Sequence, residues 1–155
     1  MISFELAQAG DAQVLCDIAI KAFAEDKKLY GSTPEGIESV EWHRSQTGSQ
    51  MYYKILSNAD SVGGLRVFKM EDGHYRLGSV FIHPDFQNQG IGCKAMEFIE
   101  GLFPDAVKWS LDTPFKNFRN HYFYEKHGFR KVGETKPFGD DSFILFEYEK
   151  EAVPS

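Results

Sequence analysis

The 155-residue chain is short of cysteine, of net positive charge and of long apolar runs, and each shortage excludes something. Its two cysteines, Cys16 and Cys93, stand too far apart for a CxxC pair, so no thiol redox motif or disulfide framework is expected. Met1-Ile2-Ser3-Phe4-Glu5-Leu6 lacks the basic and apolar stretches of an export signal, so the expectation is a cytoplasmic protein with reduced thiols. No apolar run approaches the ~18–20 residues of a membrane span. Lys and Arg number 17 against 23 Asp and Glu, a net charge of −6. That balance opposes general binding to nucleic acid or to an anionic membrane surface, and it fits a cationic ligand better. No His, Cys and carboxylate cluster has metal-ligand spacing, so no metal is expected. Neither a repeat nor a Pro/Gly/Ser linker interrupts the chain, so residues 1–155 read as one domain.

What the chain does have is aromatic residues, 15% of the total with 14 Phe, which read first as core. Ile2, Phe4 and Leu6 alternate as in a strand, and Gly10-Asp11 opens a helix carrying Val14, Leu15, Ile18, Ala19 and Ala22 toward Phe23. Lys27 to Glu35, with Gly31, Ser32 and Pro34, reads as a polar loop, and Pro34 to Gln46 as a weaker helix. Strands follow at Tyr52 to Leu56, Ser61 to Met70 and Tyr75 to Ile82, with turns at Asn58-Ala59-Asp60 and Glu71-Asp72-Gly73. A helix begins near Gly90 with Ile91, Ala95, Met96, Ile99 and Leu102 on one face. Val107 to Leu111 is a strand, Asn117 to His127 a helix closed by Gly128, and Phe129 to Glu134 and Ser142 to Lys150 the last strands. The order β-α-α-β-β-β-α-β-α-β-β predicts a mixed α/β sheet.

The most informative stretch is Ile82-His83-Pro84-Asp85-Phe86-Gln87-Asn88-Gln89-Gly90-Ile91-Gly92-Cys93, where a strand ends and two glycines open a helix. Glycine admits φ > 0 and puts no Cβ between an amide and a ligand. First-turn N–H groups lack intrahelical acceptors and sit at the positive end of the helix dipole, so a pyrophosphate suits the position. A P-loop fails, because no Ser or Thr follows Lys94. Gly90-x-Gly92-x-x-Ala95 fits GxGxxA, with Asp112 after the next strand. Against a dinucleotide fold, His83 to Gln89 separate strand from glycine, and only 43 residues remain beyond Asp112.

Gln87-x-x-Gly90-x-Gly92, preceded by Ile82-His83-Pro84, resembles the acetyl-CoA-binding motif of the GCN5-related N-acetyltransferases, (Arg/Gln)-x-x-Gly-x-(Gly/Ala). Tyr124-Glu125-Lys126-His127-Gly128-Phe129, seven residues after Asn117, resembles the end of that family's fourth helix. The resemblance is close from Tyr75 to Lys131 and extends to the rest through element order. It implies a mostly antiparallel mixed sheet with helices on both faces and a V-shaped splay between the fourth and fifth strands. It also implies acetyl-CoA as co-substrate, with Gln87, Asn88, Gln89, Gly90, Ile91, Gly92 and Cys93 around the pyrophosphate. The N–H groups of Phe81 and Ile82 would lie near the thioester carbonyl, where aimed amides stabilise a developing oxyanion.

Asn117, Asn120, His121 and Tyr124 share one helical stripe. By resemblance, Asn117 and Asn120 bind the CoA arm, and Tyr124 is the catalytic residue serving the leaving sulfur. A tyrosine near pKa 10 gives its proton to a thiolate near 8.5 only uphill, by about 2 kcal/mol, so the expected role is chiefly hydrogen bonding. An alkyl amine must also lose a proton, at about 4.6 kcal/mol from pH 7. Members of the family often carry a Glu on the strand before the glycine loop, and Tyr75 to Ile82 contains none. His83, His74, His43, Glu41 and His121 remain candidate bases, and proximity alone can supply ~7–11 kcal/mol.

Cys93 lies where the helix dipole favours negative charge, so an acyl-cysteine route is an alternative. The resemblance implies direct attack in a ternary complex. It further places the acceptor, a primary amine of a small molecule or peptide, between the first two helices and the last hairpin. Glu25, Asp26, Glu35, Glu38, Glu41, Asp140 and Asp141 there would attract a cation, with Trp42, Phe138 and Tyr30 as apolar walls. Homodimers are common among such proteins, and the Phe-rich C-terminal strands offer either an interface or core. A different class of reading is an acyl-CoA sensor or regulatory module without turnover.

Overall fold

The computed structural model describes residues 1–31, 33–49 and 51–152; Ser32, assigned by the sequence to a polar loop, lies outside them. Among the described residues, seven strands form one sheet in the order β1-β2-β3-β4-β5-β7-β6. They are β1 (Ile2–Leu6), β2 (Tyr52–Ser57), β3 (Asp60–Glu71), β4 (His74–Ile82), β5 (Lys108–Pro114), β6 (Arg130–Thr135) and β7 (Leu145–Glu151). The helices are α1 (Ala12–Ala22), α2 (Ala24–Tyr30), α3 (Val40–Thr47), α4 (Ile91–Leu102) and α5 (Phe118–Lys126). β4 and β5 run parallel and pair only at His74–Lys108, Tyr75–Trp109 and Arg76–Ser110. The other registered pairings are antiparallel. This is the mixed, mostly antiparallel sheet expected, and β4 runs six residues past its last β5 partner.

Two compact units share β3 and β4: residues 1–67 with 78–102, and residues 68–77 with 103–152 of the described chain. In the first, Asn58 and Ala59 turn the β2–β3 hairpin with φ of 49° and 74°. Two consecutive positive φ values match the right-handed twist of the flanking strands, so the connection is two residues long and Asp60 already belongs to β3. Tyr52 and Tyr53 point to opposite faces of β2, as the period of two requires. Tyr52 packs with Leu15, Ile18, Ala19, Ile37 and Phe81 beneath α1. Tyr53 meets Phe98 of α4 edge-on at 5.2 Å, and Phe98 stacks on Phe4 of β1 at 4.4 Å. Helices therefore cover both faces of this unit.

Three expectations are corrected here. Ala24–Tyr30 is helix, not the loop expected from Lys27 onward: Ala, Glu, Lys and Leu favour helix intrinsically, and Gly31 caps it at φ 75°. None of its residues is buried, so it carries no apolar stripe for periodicity to detect. Residues 35–38 form turns, and α3 starts only at Val40, where the Ser39 side chain accepts the Trp42 N–H at 3.2 Å. Val14 and Leu102, expected on apolar faces, are partly solvent-exposed.

In the second unit, Trp109, Leu111 and Thr113 of β5 are buried, together with Tyr75 and Phe129. α5 packs through His121, whose ring stacks on Phe146 of β7 at 4.9 Å. On the opposite face of the sheet, Asp112 and Glu147 are direct cross-strand partners. Like charges so placed repel, and the Arg76 guanidinium bridges them at 2.7 and 3.4 Å. No described helix is long and apolar enough to cross a membrane.

Candidate functional site

The turn between β4 and α4 is built by its own side chains. His83 caps a short 3₁₀ turn, Pro84–Phe86, its Nδ1 accepting the Asp85 N–H at 3.1 Å. The Gln87 amide nitrogen donates to the Ile82 carbonyl at 3.0 Å, tying the loop to the end of β4. Asn88 and Gly90 then adopt φ of 63° and 78°. Asn is, with Asp, among the few non-glycine residues that tolerate this region. A Cβ at Gly90 would meet nothing within 4 Å, so the space beside that α-carbon is open. The Gly90 carbonyl accepts the Lys94 N–H at 3.2 Å, the first bond of the helix. The N–H groups of Ile91 and Gly92 precede it and have no intrahelical acceptor. Main chain in left-handed conformations, at the positive end of a twelve-residue helix, has the geometry and polarity that suit an anion.

At the end of β4 the alternation of backbone direction decides which amide is offered. The His83 N–H donates to Val62 of β3 at 2.8 Å, so Phe81, two residues earlier, also turns its N–H toward β3. Ile82 turns its N–H to the other edge. Of the two amides expected near a thioester, Ile82 is the one so directed.

On α5 the polar stripe is engaged in holding the helix. The Asn117 side chain caps it by accepting the Asn120 N–H at 3.1 Å, and the Asn120 amide donates to the Thr113 hydroxyl at 3.2 Å. His121 Nε2 bonds the Pro114 carbonyl at 3.0 Å. Tyr124 is partly buried and packs edge-on to Phe129 at 5.8 Å. Burial, with the Asp112 carboxylate second, pushes its hydroxyl up to about 12. Gly128, at φ 93°, ends the segment, and the Phe129 N–H returns to the Tyr124 carbonyl at 3.0 Å.

The histidines nominated as bases have other occupations. His43 is fully buried, with Nδ1 at 2.8 Å from the Tyr52 hydroxyl and Nε2 at 2.7 Å from the Ile37 carbonyl. A carbonyl only accepts, so Nε2 carries the proton and Nδ1 accepts from Tyr52. Burial pushes the His43 pKa down, with Arg66 adding to the effect. His74 bonds the Ser110 hydroxyl at 2.8 Å at the opposite end of β4 from the glycine loop. Glu41 pairs with Arg44.

The acidic residues expected to attract a cation are largely paired locally. Glu38 meets Lys27 at 2.8 Å, which holds its carboxyl below the usual range, and Asp141 meets Lys136 at 2.7 Å. Asp140 accepts from the Ser142 N–H at 2.9 Å. Trp42 lies against Gly36, where a Cβ would sit 2.2 Å from the indole, and under the Arg66 guanidinium at 4.6 Å. Phe138 is exposed beside Phe143. The sequence reading missed Gly63, Gly64 and Arg66; the adjacent glycines inside a strand were the signal available.

Residues 48–131 match the family model described as the acetyltransferase (GNAT) domain. The uncharacterised Bacillus subtilis protein YrkN is 38% identical over 82 residues, which are 52% of this chain and 44% of that protein. PaiA N-acetyltransferase from Thermoplasma acidophilum, solved in complex with coenzyme A, superposes with a TM-score of 0.78 at 18% identity, covering 98% of this chain and 99% of that one. The ribosomal-protein-S18-alanine N-acetyltransferase of Escherichia coli gives 0.79 at 16% identity, covering 97% and 94%. At such identities the structures speak for the fold, while the family model spans more than half the sequence and includes the glycine loop. The chain belongs to the GNAT acetyltransferase family.

Proposed function

We propose that the protein transfers an acetyl group from acetyl-CoA to a primary amine of a small molecule or peptide, by direct attack. The observation that supports this reading is the turn from Asn88 to Gly92, with left-handed main chain at Asn88 and Gly90 and open space beside Gly90, which suits a pyrophosphate. PaiA was solved with coenzyme A, and the E. coli relative is named for acetylating an alanine amine. In this reading the amides of residues 88–93 hold the diphosphate, and the Ile82 N–H receives charge from the thioester oxygen. Asn117 and Asn120 serve the CoA arm through whatever capacity their structural bonds leave.

Tyr124 stabilises the departing sulfur as a hydrogen-bond donor. With its hydroxyl near 12 and a thiol near 8.5, complete proton transfer is uphill by about 5 kcal/mol. Donation without transfer meets no such barrier. His43 and His121 are structural, His83 caps a turn, and the amine's proton leaves through water or an acceptor-bound group. Attack by the amine nitrogen forms the C–N bond and breaks the C–S bond, the proton passing to solvent.

The test is thermal denaturation with acetyl-CoA, CoA and NAD side by side, followed by release of CoA with a polyamine, an aminoglycoside and an alanine-terminated peptide. At 100-fold excess over Kd a ligand adds about 2.7 kcal/mol. A shift with the CoA species alone, and amine-dependent CoA release, is the expected result. A shift with NAD alone would overturn the reading. CoA binding without release by any amine would favour the sensor.

A further inference from the structure

We infer that a bulge in β3, Val62-Gly63-Gly64, is the positioning element for the Ile82 N–H, an inference that rests on the reading just proposed. Between β2 and β3, Ile55 faces Gly63 while the next residue, Leu56, faces Ser61. Val62 is therefore the extra residue of a β-bulge, a feature that re-aims backbone and is enriched beside active sites. The re-aimed group is the Val62 carbonyl, which accepts the His83 N–H at 2.8 Å, one residue beyond the end of β4.

Gly63 holds the other side. A Cβ there would lie 2.3 Å from the Phe81 carbonyl oxygen and 3.3 Å from the Ile82 α-carbon. Only glycine permits that approach. Ile82 is thus bracketed: Phe81 before it is pressed through its carbonyl onto Gly63, and His83 after it is held through its N–H by Val62. With both neighbours committed to β3, the Ile82 amide has one direction left.

The Phe81 side chain is fixed by the same glycine pair. A Cβ at Gly64 would sit 2.5 Å from Phe81 Cζ and 3.1 Å from Tyr52 Cε1, so the ring fills the place of the missing methyl. Phe23 and His43 close on that ring, each at 6.3 Å between centroids. His43 is immobilised by its bonds to Tyr52 and Ile37, so the socket has little freedom to drift. The three atoms nearest a Gly63 Cβ belong to Phe81, Ile55 and Ile82 and none to residues 87–93, so the proposed pyrophosphate seat and the amide's aim can be tested separately.

The test begins with the wild-type chain. In backbone amide NMR spectra, acetyl-CoA is expected to shift the Ile82 N–H more than CoA does, with Phe81 moving less. Gly63→Ala is expected to lower kcat by about 100-fold, the scale of a misplaced reacting group or a lost oxyanion donor. Its acetyl-CoA KM and CoA Kd should stay within about threefold of wild type, with kcat counted per CoA-binding site by calorimetry so that a smaller folded fraction does not register as a slower reaction. Gly64→Ala should lose activity too, and adding Phe81→Leu, which removes the opposing ring atom, should recover most of it. A folded Gly63→Ala variant with wild-type kcat, or with its whole loss in KM, overturns the inference. So does a Phe81 amide that responds to acetyl-CoA while Ile82 does not. If Gly63→Ala fails to fold, the wild-type shifts and the Gly64→Ala/Phe81→Leu pair decide. An Ile82 response to acetyl-CoA in a protein that acetylates none of the amines would support the positioning element while defeating the proposed activity.

Discussion

The loop before α4 and the helix α5 carry their shares of the proposed site by different means. In the loop the proposed contacts are main chain, and the side chains build the turn: His83 caps it, Gln87 ties it to Ile82, and Gly90 leaves open space. On α5 the groups assigned to the cofactor are side chains that also hold the helix, through the Asn117 cap and the Asn120 bond to Thr113. Apart from His83 and Gln87, whose side chains hold the turn, the loop should therefore tolerate changes that respect φ and fail on those that do not. α5 should lose stability and function together, except at Tyr124, whose side chain packs without serving as a cap.

The largest effect expected from this contrast is at Gly90. Valine there must adopt φ near +78°, a region that costs an ordinary residue roughly 1–2 kcal/mol and a β-branched one more. Its side chain would also stand in the open space beside the amides. Gly90→Val should weaken CoA binding at least about 100-fold by isothermal calorimetry, while ligand-free stability falls only by the strain of that φ. Undiminished CoA binding would remove the loop from the site.

Tyr124→Phe comes next. It removes one hydroxyl and leaves the packing on Phe129 in place. Loss of a donor to the developing thiolate should lower kcat by about 10- to 100-fold, with little change in acetyl-CoA KM. A pH–rate profile sharpens the point: with the hydroxyl near 12, the wild-type enzyme should show no alkaline decline from Tyr124 below pH 10. An unchanged kcat would leave the sulfur without help from α5.

Much of this was legible before the fold was known, because it lies in residue types with one physical reason to be where they are. Gly90 and Gly92 at a strand-to-helix turn, and Gly128 after an amphipathic helix, admit few other readings. The capping role of Asn117 was not legible, since an N-cap and a ligand-binding amide look alike in sequence. Nor was α2, which has helix-forming residues without an apolar face. The nomination of His43 as a base failed because spacing does not reveal that both ring nitrogens are already bonded. The bulge at Val62 was hidden for a related reason: it is a relation between strands, and Gly63-Gly64 is its only local trace.

The main-chain contacts proposed for the end of β4 also depend on a side chain, that of Phe81, whose socket depends on His43. Burial lowers the His43 pKa, so the unfolded chain binds the proton more tightly than the folded one. The stabilisation is then complete above the unfolded value of about 6.5 and is lost progressively as pH falls below it. His74, also lowered by burial and by Lys108, adds in the same direction. The melting temperature should fall between pH 7 and pH 5. His43→Gln should flatten that fall while costing about 1–3 kcal/mol at pH 7.5, because Tyr52 or the Ile37 carbonyl loses its partner. A variant with the full wild-type acid dependence would show that another group governs it.

The smallest effect separates cap from ligand on α5. Asn117→Ala removes the acceptor for the Asn120 N–H and should cost about 1 kcal/mol of stability, the usual worth of an N-cap. Asn117→Asp keeps an acceptor and adds charge at the positive end of the helix, so its stability should equal or slightly exceed wild type. If Asn117 also donates to the CoA arm, the aspartate variant should bind CoA more weakly despite its intact helix, because a carboxylate has no N–H to give. Equal CoA affinity in Asn117→Asp and wild type would confine this residue to capping. The difference between loop and helix would then be sharper, with α5 contributing to the cofactor only through Asn120 and Tyr124.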